Sequence, residues 1–348
     1  MKNPLGAIAR LLGRGSSGAV LSALHTHAIG RPLLIHGGMG EQLIGAYMSG
    51  AIDTPPPVVD APQETSAGKV AVINVSGPLV NRPMPGPCDS GPMDYEAIRE
   101  AFDQVMSDDN VAAVVLRIDS PGGMASGLFD LSDHIFASRG KKPIYAMIDD
   151  YAFSAAYAIA AACDEIWLSR TGQGGSVGAV YFFRDVTGAD AQAGIKITPI
   201  FAGARKVDLN PHFPLSPEAG AKAQAEIDEL RELFVASVAT YLSLDPEVVR
   251  ATEADTYSGQ AAIDIGFATK LGTFRDLLAS LQASAPPPSA TSTEGAGSEE
   301  ATRDPAIGTA AVEESAAAEA ARAAAAAELL ATNTKAATRA ALADAVAA

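Results

Sequence analysis

Two polar side chains lie in stretches whose composition suits nucleophilic chemistry. Ser154 lies in the apolar run Tyr151 to Ala162, which is typical of the start of a buried helix. Lys206 follows an apolar, strand-like run and a glycine turn, in a loop. A serine hydroxyl is a weak nucleophile until a base removes its proton, and an uncharged lysine amine can serve as that base. This pair of residues therefore predicts acyl-transfer chemistry.

The sequence Ser-Pro-Gly-Gly at 120–123 ends another apolar strand and has the composition of an oxyanion-binding turn. Pro121 fixes φ, whereas Gly122 and Gly123 can adopt backbone conformations closed to other residues. Such a turn can direct backbone N–H groups at a carbonyl oxygen. We expect Gly122 to shape the turn, and the N–H groups of Gly123 and Ala155 to stabilise an oxyanion.

Each feature also has a purely structural interpretation. Ser154 can cap the helix that follows it, and Lys206 can be an ordinary surface lysine. A Ser–His–Asp triad would recruit His212 or His134, but neither lies in a stretch that suggests a catalytic base. The glycine pattern at 13–18 matches a dinucleotide-binding fingerprint but lacks a convincing strand before it, which disfavours that function.

Composition excludes several other classes of function. The chain has 348 residues, 48% of them hydrophobic, and a net charge of −16, which argues against nucleic acid as the main partner. Cys88 and Cys163 are its two cysteines and show no metal-ligand spacing, so neither a metal nor a cofactor is expected. The sequence contains no run of about 18 apolar residues. We therefore expect a cytoplasmic protein without a membrane anchor.

Hydrophobic periodicity predicts alternating strands and helices, hence an α/β fold with a mainly parallel sheet. The predicted strands are Val70–Val75, Val111–Ile118, Pro143–Ile148 and Glu165–Ser169, and the predicted helices are Tyr95–Ser107, Gly127–Arg139, Ser154–Cys163 and Glu218–Ser243. Composition divides the chain into three parts. Residues 1–68 form a leader with a Pro-rich, irregular linker, residues 69–282 form the main domain, and residues 283–348 form an acidic, Ala-rich tail, disordered or helical.

In order and spacing, four stretches resemble the signal peptide peptidase A family of serine peptidases. They are Asp-Ser-Pro-Gly-Gly at 119–123, Ala-Phe-Ser-Ala-Ala-Tyr at 152–157, Gly-Ala-Arg-Lys-Val-Asp at 203–208 and Thr-Tyr-Ser-Gly-Gln-Ala-Ala at 256–262. The resemblance implies a Clp-protease/crotonase-type fold and a Ser–Lys dyad, with Ser154 as nucleophile and Lys206 as base. The family often has glycines after the nucleophile, where this chain has Ala155 and Ala156, so the oxyanion donors stay open.

The leader segment Ala28 to His36 and the Ala-rich tail resemble the phage capsid-maturation branch of that family. That likeness implies a homo-oligomeric endopeptidase acting on scaffold and portal-associated proteins, with self-cleavage within residues 283–310 as a further hypothesis. Two alternatives stay open: a vestigial peptidase domain that serves as a capsid scaffold, and an acyl-CoA hydratase or isomerase of the crotonase type.

Overall fold

The computed structural model describes residues 32–36, 59–65, 68–82 and 92–283. The strands are β1 (Leu33–Ile35), β2 (Val59–Thr65), β3 (Gly68–Ser76), β4 (Leu79–Val80), β5 (Met93–Asp94), β6 (Val111–Ser120), β7 (Gly122–Met124), β8 (Ile144–Phe153), β9 (Glu165–Leu168), β10 (Gln173–Gly175), β11 (Thr256–Ser258) and β12 (Lys270–Leu271). The helices are α1 (Tyr95–Ser107), α2 (Leu128–Ala137), α3 (Ala155–Ala161), α4 (Thr187–Gln192), α5 (Pro217–Leu242), α6 (Pro246–Ala251), α7 (Gly259–Asp264) and α8 (Phe274–Ala283).

The main sheet has the strand order β11-β10-β8-β6-β3-β2. Outside this order, β9 pairs with β8, and β12 pairs with β9. The pairings β10–β8, β8–β6 and β6–β3 are parallel, while β11 and β2 pair antiparallel at the two ends of this order. The predicted α/β class with a mainly parallel sheet is confirmed. Since parallel strands end at the same edge of a sheet, the loops after β6, β8 and β10 lie together.

Apolar side chains cover both faces of this sheet, which explains the continuous apolar runs of its central strands. On β3, Ala71 and Ile73 contact the larger core, whereas Val70 and Val72 contact a second cluster with α8. The short helix α3 lies inside the larger core, and all seven of its residues are buried. Its small alanine side chains let the sheet and the neighbouring helices approach closely.

A second, four-stranded sheet has the order β1-β7-β4-β5. Its strand β7 directly follows the Ser-Pro-Gly turn, and it pairs parallel with β4 and antiparallel with β1. The side chains of β1 are buried, with exposed fractions of 2% at Leu33, 0% at Leu34 and 5% at Ile35. Part of the predicted leader is therefore an integral strand of the fold.

One prediction about the leader is wrong. Its Pro-rich stretch was expected to be irregular, but Val59–Thr65 forms β2 and pairs antiparallel with β3. The reason is position, because proline is tolerated in a strand at a sheet edge or at a register irregularity. β2 lies at the edge, and its register shifts between Asp60 and Gln63, where Pro62 stands. The acidic tail from residue 284 lies outside the described residues, so its predicted state and self-cleavage stay predictions.

Candidate active site

Ser154 lies at a junction of three strand ends. It follows the last residue of β8, whose Ala152 pairs with Ser120 at the end of β6 and whose Phe153 pairs with Gly175 at the end of β10. The Ser154 N–H donates a hydrogen bond to the Gly175 carbonyl at 2.8 Å. The parallel register of the main sheet therefore places the serine between the Ser-Pro-Gly-Gly turn at 120–123 and the glycine-rich stretch 172–178.

The backbone of Ser154 is strained, with φ 53° and ψ −116°. Positive φ is uncommon for a residue with a side chain, and strained residues cluster at functional sites. Ser154 occupies the N-cap position of α3, and its carbonyl accepts the Tyr157 and Ala158 N–H groups, but its side chain makes no capping hydrogen bond, so capping does not account for the hydroxyl. Its hydroxyl instead donates to the Gly178 carbonyl at a long 3.4 Å. A buried hydroxyl with one weak acceptor is well placed to transfer its proton elsewhere.

The Ser-Pro-Gly-Gly turn is held against this serine by side-chain and backbone bonds. The Ser120 hydroxyl donates to the Gly77 carbonyl at 2.7 Å and accepts from the Gly122 N–H at 3.2 Å. Gly122 has φ +97°, and a Cβ there would lie 3.0 Å from the Ala155 nitrogen. The structure therefore brings Gly122 and Ala155 together.

Gly123 lies one residue further along, in β7. A Cβ at this position would meet the Leu79 carbonyl oxygen at 1.9 Å, so the pairing with β4 requires glycine. The predicted oxyanion donors Gly123 and Ala155 are thus both neighbours of Gly122, the first along the chain and the second in space. That they bind an oxyanion stays a prediction.

Lys206 is not joined to Ser154 within one chain. It is exposed, as is every residue of the segment 191–206, and its N–H donates to the Gly203 carbonyl at 3.0 Å. Among the described residues, the Lys206 side chain forms no hydrogen bond or ion pair, whereas adjacent Arg205 lies 3.3 Å from Asp208. The Ser154–Lys206 dyad therefore stays a prediction that one copy of the chain does not complete.

The two histidines considered for a triad are engaged elsewhere. His134 lies 2.5 Å from Asp103, and His212 lies 2.6 Å from Asp190. A cavity of about 460 Å³ beside the serine is lined by Gly178, Ile35 and His36, among others. The leader residues of this cavity were missed as site residues, because their only sequence signal is a short apolar run far from the other motifs.

Buried tyrosines brace the elements around the site. The Tyr95 hydroxyl donates to the Met124 carbonyl of β7 at 2.6 Å, and the Tyr157 hydroxyl of α3 donates to the Phe267 carbonyl at 2.8 Å. Burial raises the pKa of both phenols well above the ordinary value, because desolvation disfavours the phenolate. Both groups therefore remain protonated donors at any working pH.

Comparison with known proteins shows what this region is similar to. The profile of the family described as "Peptidase family S49" matches residues 137–286, which contain both Ser154 and Lys206. Residues 137–286 of this chain are therefore similar to peptidase family S49. The resemblance predicted from the four stretches is confirmed.

Curated proteins that are similar to this chain include two from phages. The chain is 40% identical over 202 residues to "Head-tail preconnector protein GP5" of Enterobacteria phage P21, and 36% identical over 209 residues to "Capsid assembly protease C" of Escherichia phage lambda. These matches cover 58% and 60% of this chain and 40% and 48% of the relatives, so the chain spans less than half the length of either. ClpP1 from Listeria monocytogenes matches over 60% of this chain and 94% of its own, at 16% identity and a TM-score of 0.37.

Two further findings concern the described part of the chain only. No helix in the described ranges is long and apolar enough to cross a membrane. Likewise, within those ranges no three His, Cys, Asp or Glu side chains are grouped so that they could hold a metal ion. Cys163 is a free, buried thiol whose pKa is raised by desolvation, so it is no candidate for a thiolate nucleophile.

Proposed function

We propose that this protein is a serine endopeptidase of phage capsid assembly. The observation that carries the proposal is Ser154: a strained, buried serine whose hydroxyl does not cap its helix and which lies beside the Ala155 N–H and the Gly122–Gly123 turn. In the proposed reaction its hydroxyl attacks a peptide carbonyl, and the N–H groups of Gly123 and Ala155 stabilise the oxyanion. The match of residues 137–286 to peptidase family S49 and the two phage relatives support this reaction and protein substrates such as scaffold and portal-associated proteins.

Lys206 is the proposed base, delivered by a neighbouring copy of the chain. Its exposure and its lack of a partner among the described residues support a role that only an assembly completes. Exposed apolar side chains precede it on the same segment, including Ile200 at 100% and Phe201 at 49%. Contiguous exposed apolar residues mark interaction surfaces. A second copy that covers them would also cover the Lys206 amine.

Two substitutions test the reaction. We expect Ser154→Ala to lower casein cleavage by about 10³-fold or more, because the nucleophile is lost. Lys206→Ala should lower it by about 10²-fold or more, because no base removes the hydroxyl proton. Rates of peptide release, measured at matched protein concentration, give both values.

Matched controls separate chemistry from folding. Ser132 is another buried serine, whose hydroxyl donates to the Leu128 carbonyl, and Lys222 is another exposed lysine. Ser132→Ala and Lys222→Ala should both retain casein cleavage within a few-fold. Full activity in Ser154→Ala would refute the nucleophile, and a wild-type protein without any peptidase activity would leave an assembly protein as the function.

A further inference from the structure

Strand β1 lies in the groove beside Ser154 in the manner of a bound peptide. It pairs antiparallel with β7, with Leu34 opposite Gly123 and Ile35 opposite Gly122. On its other edge, the Leu33 N–H and carbonyl exchange two hydrogen bonds of 2.9 Å with Val180. Addition of an extended segment to exposed strand edges is a common mode of peptide recognition. Both neighbours of β1 belong to the candidate site, since β7 carries Gly123 and Val180 follows the Gly178 acceptor of Ser154.

The hydrogen-bond phase of this ladder determines which carbonyl faces the site. The His36 N–H donates to the Pro121 carbonyl at 2.9 Å, so the pair of these two residues is a hydrogen-bonded one. Hydrogen-bonded and non-bonded pairs alternate along an antiparallel ladder. The pair of Leu34 and Gly123, two steps further, is therefore also hydrogen-bonded. The Leu34 carbonyl oxygen thus accepts the N–H that we propose as an oxyanion donor.

A second measurement places the same oxygen near the second proposed donor. A Cβ on Gly122 would lie 2.3 Å from the Leu34 oxygen and 3.0 Å from the Ala155 nitrogen. The Leu34 carbonyl oxygen and the Ala155 nitrogen therefore both border the space in front of Gly122. The Leu34 side chain is fully buried in the larger core, as a side chain in a specificity pocket would be. On the C-terminal side of the Leu34–Ile35 peptide bond, Ile35 and His36 line the cavity of about 460 Å³. This cavity leaves room for the amine that is released when that bond breaks.

We propose that the enzyme cuts its own chain between Leu34 and Ile35, an inference that rests on the proposed peptidase function. The Ser154 oxygen adds to the Leu34 carbonyl carbon while its proton passes to the base. The Leu34–Ile35 C–N bond then breaks, and the Ile35 nitrogen receives that proton. Water hydrolyses the Leu34 ester, which restores the Ser154 hydroxyl and leaves a Leu34 carboxylate. Water is the only co-reactant.

The experiment follows the full-length chain over time by intact-mass spectrometry and N-terminal sequencing, with casein cleavage measured in the same sample. We expect a fragment that begins at Ile35 to accumulate in the wild-type protein and to be absent from Ser154→Ala. We expect Leu34→Asp to lower its yield by at least about 10-fold, since a charged side chain is excluded from the buried position of Leu34. Leu215→Asp, at an exposed leucine outside the groove, should leave the yield unchanged.

A synthetic peptide of residues 31–38 gives a test that does not depend on folding of the Leu34 variant. The wild-type protein should cleave it between its second leucine and its isoleucine. If casein is cleaved but neither the Ile35 fragment nor the peptide product forms, self-cleavage is refuted and the peptidase function stands, with β1 a structural strand only. If casein is not cleaved either, both proposals fail. An Ile35 fragment that also forms in Ser154→Ala refutes the inference by showing another protease.

Discussion

At Gly122, backbone conformation and close approach both require the absence of a side chain. Its φ of +97° is open to glycine, and a Cβ there would lie 2.3 Å from the Leu34 oxygen and 2.9 Å from the Phe153 oxygen. Gly140 has a similar φ of +80° with nothing within 4 Å of its Cβ position. Replacing Gly140 by alanine therefore measures the cost of the backbone conformation alone, without a steric clash. The two glycines therefore form a natural pair for measuring the steric cost at the site.

We expect Gly140→Ala to lower the free energy of unfolding by about 1–2 kcal/mol, the cost of a left-handed backbone. Gly122→Ala should lower it by at least about 1 kcal/mol more and should reduce casein cleavage by about 10²-fold, because the methyl group occupies the oxyanion site. Denaturant unfolding and peptide release measure the two effects. Equal stability and activity in the two variants would contradict the assigned geometry.

The type of each site residue was visible in the sequence, but its conformation was not. Ser154 and the glycines at 122 and 123 were selected because hydroxyl and glycine chemistry suit acyl transfer. The positive φ of Ser154 could not be predicted, since it depends on the N–H bond to Gly175, which only the strand register creates. The same register determines that the serine hydroxyl reaches Gly178 instead of capping α3.

At the scale of elements, helix α3 depends on Arg139 for its C-terminal end. The Arg139 guanidinium donates to the carbonyl of Ala161, the last residue of α3, and to those of Ala162 and Cys163 just beyond it. It also donates to the Tyr241 carbonyl of α5. One side chain thus connects the helix that follows Ser154 to the long helix α5.

Replacement of this arginine should destabilise the fold. We expect Arg139→Met to lower the free energy of unfolding by about 2–4 kcal/mol, because several charge-assisted hydrogen bonds are lost and buried carbonyls lose their donors. Arg99→Met is the control. Arg99 is exposed and forms a long ion pair of 3.9 Å with Asp103, and such surface pairs contribute little to the free energy of unfolding. Thermal unfolding should show a lower Tm for Arg139→Met alone; the same Tm in both variants would refute the capping role.

Long, periodic elements were predicted well, and short ones at the sheet margins were not. The predicted helix Tyr95–Ser107 is α1 with the same bounds, and its Asp94 side chain accepts from the Ala97 N–H. β8 extends past its predicted end at Ile148 to Phe153, through a charged stretch that composition alone excludes from a buried strand. β1 escaped prediction because its partner strand β7 lies about 90 residues away in the sequence, and β2 because its Pro-containing stretch carries little local strand signal.

At the scale of the whole molecule, the segment 191–206 is the surface on which the proposed assembly depends. It is exposed throughout, carries apolar side chains and presents Lys206, which supports the proposal that the dyad forms between copies. We expect Ile200→Asp to shift the protein toward a monomer in sedimentation and to lower casein cleavage in parallel, since a charge is excluded from a buried contact. Leu233→Asp, at an exposed apolar position of α5 outside this segment, is the control.

Mixing two inactive variants tests the same assembly directly. If Lys206 acts on the serine of a neighbouring copy, Ser154→Ala and Lys206→Ala chains mixed after dissociation should regain a fraction of the activity, because mixed contacts contain intact pairs. If the mixture is as inactive as each variant alone, a dyad formed between copies is refuted. The separate assays of Ser154→Ala and Lys206→Ala would still test whether the two residues are needed for catalysis.

Because β2 pairs with β3, the proposed cleavage between Leu34 and Ile35 should be irreversible. Everything from Ile35 onward stays covalently continuous with the main sheet, whereas the first 34 residues would keep only non-covalent contacts, including the short ladder of β1. Once that piece diffuses away, water opposes re-formation of the amide. The event is then irreversible, so each molecule would vacate its own groove once and remain open to other chains thereafter.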